Sequence, residues 1–255
     1  MAIEIFNRYE QKYILNSKDM EMLLPVIQTH MDTDPYNQNG TPYTISNIYY
    51  DTPDDHMIRT SLGKPRYKEK LRLRGYGVPG PQDKVFLEIK KKYKGIVNKR
   101  RTTLSLPEAY AWLETGTAPT PKPYMNKQVL CELAYSIQFY RPVAKVYLAY
   151  DRLAFFDHDD PDLRISFDQN IRTRRASLRL EAGSHGCPLI PENTWIMEIK
   201  TAKTMPLWLT NALASLNIRS RSFSKYGAEY QNMLRTTQNE NQMEALLIWN
   251  NFLTV

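Results

Sequence analysis

The amino-acid sequence predicts an α+β fold in which antiparallel strands dominate. Eight segments alternate apolar with charged or polar residues, as strands with one face in the core do. From Pro206 onward, apolar residues recur instead at helical spacing. A chain of 255 residues with 42% hydrophobic content is also long enough to bury a sizeable core.

The predicted strands either alternate strictly or are rich in β-branched and aromatic residues. Residues 77–83 contain two glycines and two prolines and form the turn between two of the strands. The acidic segment 158–162 suits the turn of a long hairpin. In chain order, the predicted strands cover residues 7–15, 41–52, 66–77, 84–92, 96–106, 142–157, 162–175 and 194–201.

Helices are predicted between and after these strands. Ser17 is the expected N-cap of the first helix, and Pro107 suits the first turn of another. The helical segments cover residues 17–31, 54–62, 107–113, 126–140, 206–216, 224–235 and 241–253. Because similar strands lie on both sides of the Pro/Thr-rich stretch 115–124, we expect one domain over residues 1–255, with a helical C-terminal segment from about 205 to 255.

Composition indicates an anionic partner. The net charge is +7 and the pI is near 9.2, which fits a phosphorylated molecule, a nucleic acid or a membrane surface. The two cysteines, Cys131 and Cys187, form no CxxC pair, which argues against a disulfide scaffold or a zinc–thiolate site. No signal-peptide core or run of ~18 apolar residues is found, so we expect a soluble, cytoplasmic protein without a membrane span.

Three strands repeat one pattern, a glutamate placed two residues before a lysine, at Glu10, Glu88 and Glu198. The charged faces of the predicted strands are also lopsided in sign, whereas solvated faces usually mix both signs. An open sheet with one face in water remains an alternative, but a closed barrel with its charged faces lining a tunnel explains the imbalance better. Those faces carry thirteen basic side chains (Arg8, Lys12, Lys68, Lys70, Arg72, Arg74, Lys84, Lys90, Lys99, Arg101, Arg152, Arg164, Lys200) and four acidic ones (Glu10, Glu88, Asp168, Glu198).

A tunnel of this kind predicts binding of a polyanion. Arginine meets phosphate oxygens bidentately and lysine supplies a compact charge. The isolated glutamates Glu10, Glu88 and Glu198 then become candidate ligands of Mg²⁺ or Mn²⁺ beside the phosphates. Further candidate phosphate-binding residues on the basic faces are Arg8, Lys70, Arg101 and Lys200.

Eight short motifs, "RYEQKYIL", "IYYDTPD", "KLRLRGYG", "VFLEIKKK", "VNKRR", "DLRISFDQNIRTR", "MEIK" and "SFSKYGAEY", occur in the order found in one family. In these motifs the chain resembles the VTC-type polyphosphate polymerase domain, a triphosphate tunnel metalloenzyme, from about Phe6 to Tyr230. The resemblance implies a closed eight-stranded antiparallel barrel surrounded by helices. It also implies metal-dependent transfer of the ATP γ-phosphate to a growing polyphosphate chain.

The resemblance also assigns roles to individual residues. Glu198 resembles the principal metal ligand, and Ser224 and Lys225 resemble phosphate contacts at the tunnel mouth. The hydrolases of the superfamily carry ExExK near the N-terminus, whereas this chain has a single glutamate there, which favours the polymerase branch. The residues that match the catalytic, phosphate-contacting set are Lys12, Arg72, Arg74, Lys90, Lys99, Arg152 and Arg164.

Alternative functions stay open at the level of sequence. The same tunnel could serve a triphosphatase or tripolyphosphatase with water as the acceptor, or a polyphosphate-binding module without turnover. Nucleic acid is not expected as a partner, because base-stacking aromatic residues would have to be interleaved with the basic ones on an open face. ATP and polyphosphate are the expected ligands, and a membrane protein partner and the oligomeric state stay open.

Overall fold

The structure, a computed structural model, describes residues 9–37, 40–94, 96–202 and 204–252, with side chains up to residue 239. Arg8, one of the predicted phosphate-binding residues, lies outside the described residues. The described strands are β1 (Tyr9–Asn16), β2 (Met31–Thr33), β3 (Tyr43–Asp51), β4 (Tyr67–Tyr76), β5 (Lys84–Tyr93), β6 (Ile96–Ser105), β7 (Val143–Asp157), β8 (Arg164–Arg174), β9 (Cys187–Pro188) and β10 (Thr194–Thr201). The described helices are α1 (Ser17–Gln28), α2 (His56–Leu62), α3 (Leu106–Thr115), α4 (Lys127–Tyr140), α5 (Leu207–Ser215) and α6 (Lys225–Phe252).

One antiparallel sheet joins all the described strands, which confirms the α+β class. Eight of them are hydrogen-bonded in the order β1-β10-β8-β7-β3-β4-β5-β6, while the short β2 and β9 pair with β7 and β8. The predicted hairpin is confirmed as β7 and β8. Its acidic turn is held by Asp157, whose carboxylate accepts hydrogen bonds from the backbone N–H groups of Asp159 and Asp160 at 3.0 and 2.9 Å.

Backbone pairing does not close the barrel that the sequence led us to expect. β1 and β6 are the two edges of the series, and no ladder joins them within the described part of the chain. The sheet is nevertheless strongly curled, because Lys90 Nζ on β5 lies 3.1 Å from Glu10 Oε2 on β1. Side chains therefore bridge β1 at one edge and β5, the strand next to the other edge, in a sheet that the usual strand twist has coiled upon itself.

Helices pack on the sheet in three clusters, two on its outer face and one on its inner face. α3 and α4 pack over the β4–β6 end around the buried Trp112. α1 and α5 pack over β1, β8 and β10 around Phe167 on the same face, whereas α2 and α6 cover the opposite face of β3 and β7 around Leu148 and Tyr150. Each fully buried side chain of this size contributes about 1.5–3 kcal/mol. The outer face is thus covered by the core, whereas the inner face of the curl carries the charged residues together with the apolar cluster under α2 and α6.

The first helix begins one residue earlier than predicted. Asn16, not Ser17, is the N-cap: its side chain accepts a hydrogen bond from the Asp19 N–H at 2.9 Å, and Asp19 Oδ2 accepts one from the Asn16 N–H at 3.1 Å. This reciprocal arrangement needs an acidic residue three positions after the cap. Asp19 meets that requirement for Asn16, whereas Ser17 would have Met20 there.

The C-terminal segments predicted at 224–235 and 241–253 form one helix, α6, to the extent that they are described. Residues 236–240 contain no proline or glycine, so nothing interrupts the helix between them. The short strands β2 and β9 were not predicted. None of the helices in the described ranges combines the length and hydropathy that a membrane crossing requires.

Asp51, at the end of β3, ties the sheet to α2 and α6. Its carboxylate is fully buried and accepts hydrogen bonds from the N–H groups of Met57 and Ile58, each at 2.8 Å. The Tyr226 hydroxyl on α6 donates to the same carboxylate at 3.3 Å. Asp51 thereby satisfies the first turn of α2, which would otherwise bury unpaired donors.

We expect Asp51→Ala to lower the free energy of unfolding by about 2–4 kcal/mol, because two buried N–H groups lose a charged acceptor. Chemical denaturation followed by tryptophan fluorescence measures this loss. Asp54→Ala in the same segment is the matched control and should change stability far less, since Asp54 is exposed and its ion pair with Arg59 lies at the surface. Equal losses in the two variants would contradict the role given to Asp51.

Candidate functional site

The charged face of the curled sheet encloses a cavity of about 860 Å³. All eight strands of the hydrogen-bonded series contribute to its lining, together with residues 220–225 before α6. Strand alternation explains this, because every second side chain points to the same face. Among the described residues, the cations that line the cavity are Lys12, Lys68, Lys70, Arg72, Arg74, Lys90, Lys92, Lys99, Arg101, Arg152, Arg164, Lys200, Arg221 and Lys225, and the carboxylates are Glu10 and Glu198.

Most residues predicted for the site lie around this one cavity. The whole predicted catalytic set lines it, as do Lys70, Arg101, Lys200, Ser224 and Lys225 of the predicted phosphate-binding set. Of the predicted metal ligands, Glu10 and Glu198 line the cavity, whereas Glu88 is buried behind the lining.

Glu10 and Glu198 share one lysine. Lys12 Nζ lies 3.3 Å from Glu10 Oε1 and 3.4 Å from Glu198 Oε2. Burial raises the pKa of Glu10, but the surrounding lysines, Lys90 foremost, outweigh it and lower the pKa to about 2. Burial also opposes ionisation of Glu198, yet Lys200 and Lys12 hold its pKa well below the ordinary value. Both carboxylates are therefore ionised at neutral pH.

Glu88 is the counter-ion of a buried basic cluster. Its carboxylate lies 2.7 Å from Arg72 Nε, 2.5 Å from Lys99 Nζ and 3.8 Å from Arg74 Nε. Register explains the cluster, since Arg72 on β4 is directly opposite Glu88 on β5. Burial raises the pKa of Glu88, but the three cations lower it well below its ordinary value. The pKa of Lys99 falls to about 7, because burial and the two arginines outweigh the attraction of Glu88.

Asp168 on β8 is a second buried counter-ion, which the sequence analysis counted on a charged face but gave no role. It accepts two hydrogen bonds from Arg152, at 2.6 and 2.8 Å, and one from Lys225 at 2.6 Å. Burial raises the pKa of Asp168, but Arg152 and Lys225 lower it to about 2. Because Lys225 begins α6, this carboxylate fixes the start of the C-terminal helix against the cavity wall.

Residues 220–225 are anchored to the sheet on both sides. The Arg221 N–H donates to the Lys12 carbonyl at 2.7 Å, and Lys12 Nζ donates to the Phe223 carbonyl at 3.2 Å. Lys70 Nζ donates to Ser224 Oγ at 2.9 Å. Burial, with the charges of neighbouring lysines, lowers the pKa of Lys70 to about 8. This segment is therefore a fixed part of the cavity wall.

Two tyrosines that the sequence analysis did not assign to the site orient the arginines of the cavity. The Tyr49 hydroxyl accepts a hydrogen bond from Arg72 Nη1 at 3.3 Å, and the Tyr150 hydroxyl accepts one from Arg74 Nη2 at 3.2 Å. Strand alternation could have indicated the position of Tyr49, because it lies an even number of residues from Tyr43 on the inner face of β3.

The carboxylates that line the cavity meet some of the requirements of a divalent cation site. No group of three or more His, Cys, Asp or Glu side chains is placed to hold a metal ion in the described part of the chain. The ionised pair Glu10 and Glu198 offers hard oxygen ligands on either side of the Lys12 ammonium, and each carboxylate contacts one further lysine, Lys90 for Glu10 and Lys200 for Glu198. Mg²⁺ is commonly held by one or two carboxylates, with phosphates and water completing its shell. The pair meets that requirement and lines the cavity, whereas Glu88 is buried behind the lining.

Known proteins resemble the chain in sequence and in fold. The profile of the VTC domain family matches residues 7–234, and a search of curated proteins gives no match. A Bacillus halodurans protein provisionally assigned as an adenylate cyclase superposes with a TM-score of 0.55 at 13% identity, covering 87% of this chain and 96% of that one. The PH1819 protein of Pyrococcus horikoshii OT3 gives a TM-score of 0.42 at 12% identity, covering 88% and 99%. The mimivirus capping enzyme triphosphatase gives 0.33 at 11%, covering 83% and 87%.

We expect Glu88→Gln to lower the free energy of unfolding by about 3–5 kcal/mol, because breaking a buried ion pair leaves the opposite charges uncompensated. Tm should fall by roughly 6–20 °C. Added tripolyphosphate should restore more Tm in this variant than in the wild type, since the anion replaces the missing carboxylate. Thermal unfolding by calorimetry, with and without the anion, measures both effects.

Glu132→Gln is the matched control for this measurement. Its carboxylate also faces two basic residues, Lys91 at 3.2 Å and Arg100 at 3.5 Å, but on the outside of the sheet. It should lose less stability and gain no extra stabilisation from the anion. If both variants responded to tripolyphosphate alike, Glu88 would not be the counter-ion of the cavity.

We also expect the metal-free affinity for long-chain polyphosphate to fall as pH rises through 8. A bound anion favours protonated Lys70, whose pKa in the free protein is about 8, so above that pH binding must also take up a proton. The contribution of Lys70 to this loss should approach tenfold per pH unit, on top of the loss from Lys99, whose pKa is about 7 and which both proteins retain. Lys70→Arg keeps its charge and should lose less affinity between pH 8 and 9. Fluorescence anisotropy measures this, and identical pH profiles for the two proteins would be inconsistent with the expectation.

Proposed function

Because the chain belongs to the VTC domain family, we propose that it is a metal-dependent polyphosphate polymerase. In the proposed reaction, a terminal oxygen of a polyphosphate chain attacks the γ-phosphorus of ATP, and the bond from that phosphorus to the β-phosphate oxygen breaks. ADP leaves, and the polyphosphate becomes longer by one phosphate. The observation that carries this proposal is the cavity whose lining combines many cations with two carboxylates.

The charge of the lining supports a substrate with many phosphates. Lysines and arginines from seven of the eight strands of the series, all except β3, repel one another across about 860 Å³ unless an anion lies between them. A single phosphate would neutralise few of them, whereas a triphosphate or longer chain would meet successive cations along the cavity. The cavity should therefore bind a longer phosphate chain more tightly than a single phosphate.

The arginines are held in a way that suits phosphate binding. Arg72 is fixed through Nε by Glu88 at 2.7 Å, and Arg74 is fixed through Nε by Asn47 at 3.0 Å. Their terminal nitrogens contact tyrosine hydroxyls and retain further N–H donors. Donors oriented before the substrate arrives stabilise developing charge without reorganisation. On this proposal, Glu88 positions the arginines of the site.

Glu198 and Glu10 are the residues that would hold Mg²⁺ or Mn²⁺. When bound, such an ion neutralises charge on the phosphate oxygens of the reacting group. Lys12 contacts both carboxylates, and on this proposal it contacts a substrate phosphate instead when the metal ion is bound. Transfer then needs no covalent intermediate on the protein, because the side chains bind, orient and neutralise the substrate.

The tunnel form of the sheet is part of this proposal as well. We propose that the curled sheet functions as a tunnel of eight strands, with Lys90 and Glu10 bridging its open seam. Their contact of 3.1 Å supports the idea. A phosphate chain bound along the seam would give both sheet edges a common partner and complete the wall. Residues 1–255 would then act as one domain.

Two other outcomes use the same cavity. With water as the acceptor, the protein would be a triphosphatase or tripolyphosphatase and release orthophosphate. Without turnover, it would be a polyphosphate-binding module. Duplex nucleic acid fits poorly in each case, since a duplex is far wider than the space between the strands of a small barrel.

Incubation with ATP and Mn²⁺ or Mg²⁺ tests the proposal. We expect long-chain polyphosphate and ADP from the wild type, resolved by gel electrophoresis and chromatography. Glu198→Gln should reduce metal-dependent turnover by orders of magnitude, because it keeps the volume but removes a charge that a hard cation requires. Metal-free polyphosphate binding should persist or tighten, since a repelling carboxylate has gone.

Glu114→Gln, on the exposed side of α3, is the control and should behave as the wild type does. Orthophosphate as the sole phosphate product would favour the hydrolase, and binding without turnover would favour the module. Full metal-dependent activity in Glu198→Gln would exclude this carboxylate as a metal ligand.

A further inference from the structure

The two ends of the cavity differ in chemistry. At one end, lysines dominate: Lys68 on β4 is paired with Lys92 on β5, and both line the cavity. At the other end, the same two strands carry aromatic residues, Tyr76 and Phe86, whose rings meet edge to face at 5.8 Å. A linear substrate that binds in the cavity therefore finds different neighbours at its two ends.

Three tyrosines form a platform at the aromatic end. The rings of Tyr36 and Tyr76 are nearly parallel, with centroids 6.4 Å apart, and Tyr43 lies 6.2 Å from the first and 6.0 Å from the second. Tyr36 is 78% exposed and Tyr76 is 46% exposed. Exposed aromatic residues are ordinarily scattered singly, and a contiguous group marks a binding surface.

The platform is continuous with the phosphate-binding part of the cavity. Tyr43 and Tyr76 belong to the cavity lining, and Tyr43 is paired in register with Arg152. Burial raises the pKa of Tyr43 to about 12, so its hydroxyl stays protonated beside the arginines. An aromatic ring and a guanidinium are therefore direct neighbours on adjacent strands.

The arginines at this end are themselves stacked on rings. The Arg164 guanidinium lies 4.5 Å from the centroid of Phe156, and the Arg101 guanidinium lies 5.0 Å from that of Phe86. The stacked guanidinium groups are planar cations, and the exposed phenol rings are flat with electron-rich faces. A heteroaromatic ring that carries phosphates matches both halves of this surface.

We propose that Tyr36 and Tyr76 bind the nucleobase of a nucleoside triphosphate by stacking, while its phosphates extend past Tyr43 to Arg152 and Arg164. This inference rests on the proposed function and adds a subsite that selects nucleotides over inorganic phosphate chains. Stacking on tyrosine faces tolerates any base, because every base has a π-face. The site is therefore selective for a nucleoside triphosphate without being specific for one base.

Equilibrium binding of ATP and of inorganic tripolyphosphate, both without metal, tests the subsite. In the Tyr36→Ala/Tyr76→Ala variant, we expect ATP affinity to fall at least fivefold, equal to about 1 kcal/mol. Tripolyphosphate affinity should be unchanged, since it has no base. The Tyr36→Phe/Tyr76→Phe variant keeps both rings and should bind ATP as the wild type does.

Tyr135→Ala is the matched control, because Tyr135 is also exposed and stacked, on Phe139 at 5.7 Å, but lies on α4. ATP affinity unchanged in the double alanine variant, or a parallel loss of ATP and tripolyphosphate, would overturn the subsite and leave the proposed function intact. Failure of the wild type to bind either ligand would overturn both.

Discussion

Unbalanced positive charge on the inner face of one curled sheet governs the rest of this structure. Burying cations together is costly unless counter-ions are fixed among them. Glu88 and Asp168 meet this need: each is completely or almost completely buried, and each contacts two or more basic side chains. With these carboxylates in place, the sheet can curl and still leave cations in excess along the cavity for a ligand.

The same counter-ions organise the site for binding. Glu88 holds Arg72 by its Nε, while Arg72 Nη1 donates to the Tyr49 hydroxyl. Asp168 binds Arg152 and also Lys225, the first residue of α6. The cavity wall and the C-terminal helix are therefore one electrostatic unit. A polyanion that enters meets donors already oriented, so little of its binding free energy is spent on ordering side chains.

Alternation in the sequence was sufficient to predict the antiparallel strands and the residues that share their inner face, because a period of two fixes side-chain direction. It could not show which charges would meet. Glu88 reaches Arg72 through strand register, and Asp168 reaches Lys225 through the docking of α6, so both contacts depend on tertiary structure. The platform was missed for the same reason, since Tyr36 lies outside any strand and joins Tyr76 only in the folded chain.

Because one end of the cavity is aromatic and the other is rich in lysine, a substrate whose two ends differ should bind in one orientation. On the proposals made above, the base of a nucleotide rests on the aromatic end, so its γ-phosphate points toward the arginines and onward to Lys68 and Lys92. An acceptor chain must then approach from the lysine end, because the nucleoside occupies the other. On these proposals, attack in line with the departing ADP would follow from that opposition, because aromatic rings and lysines lie at opposite ends of the same two strands.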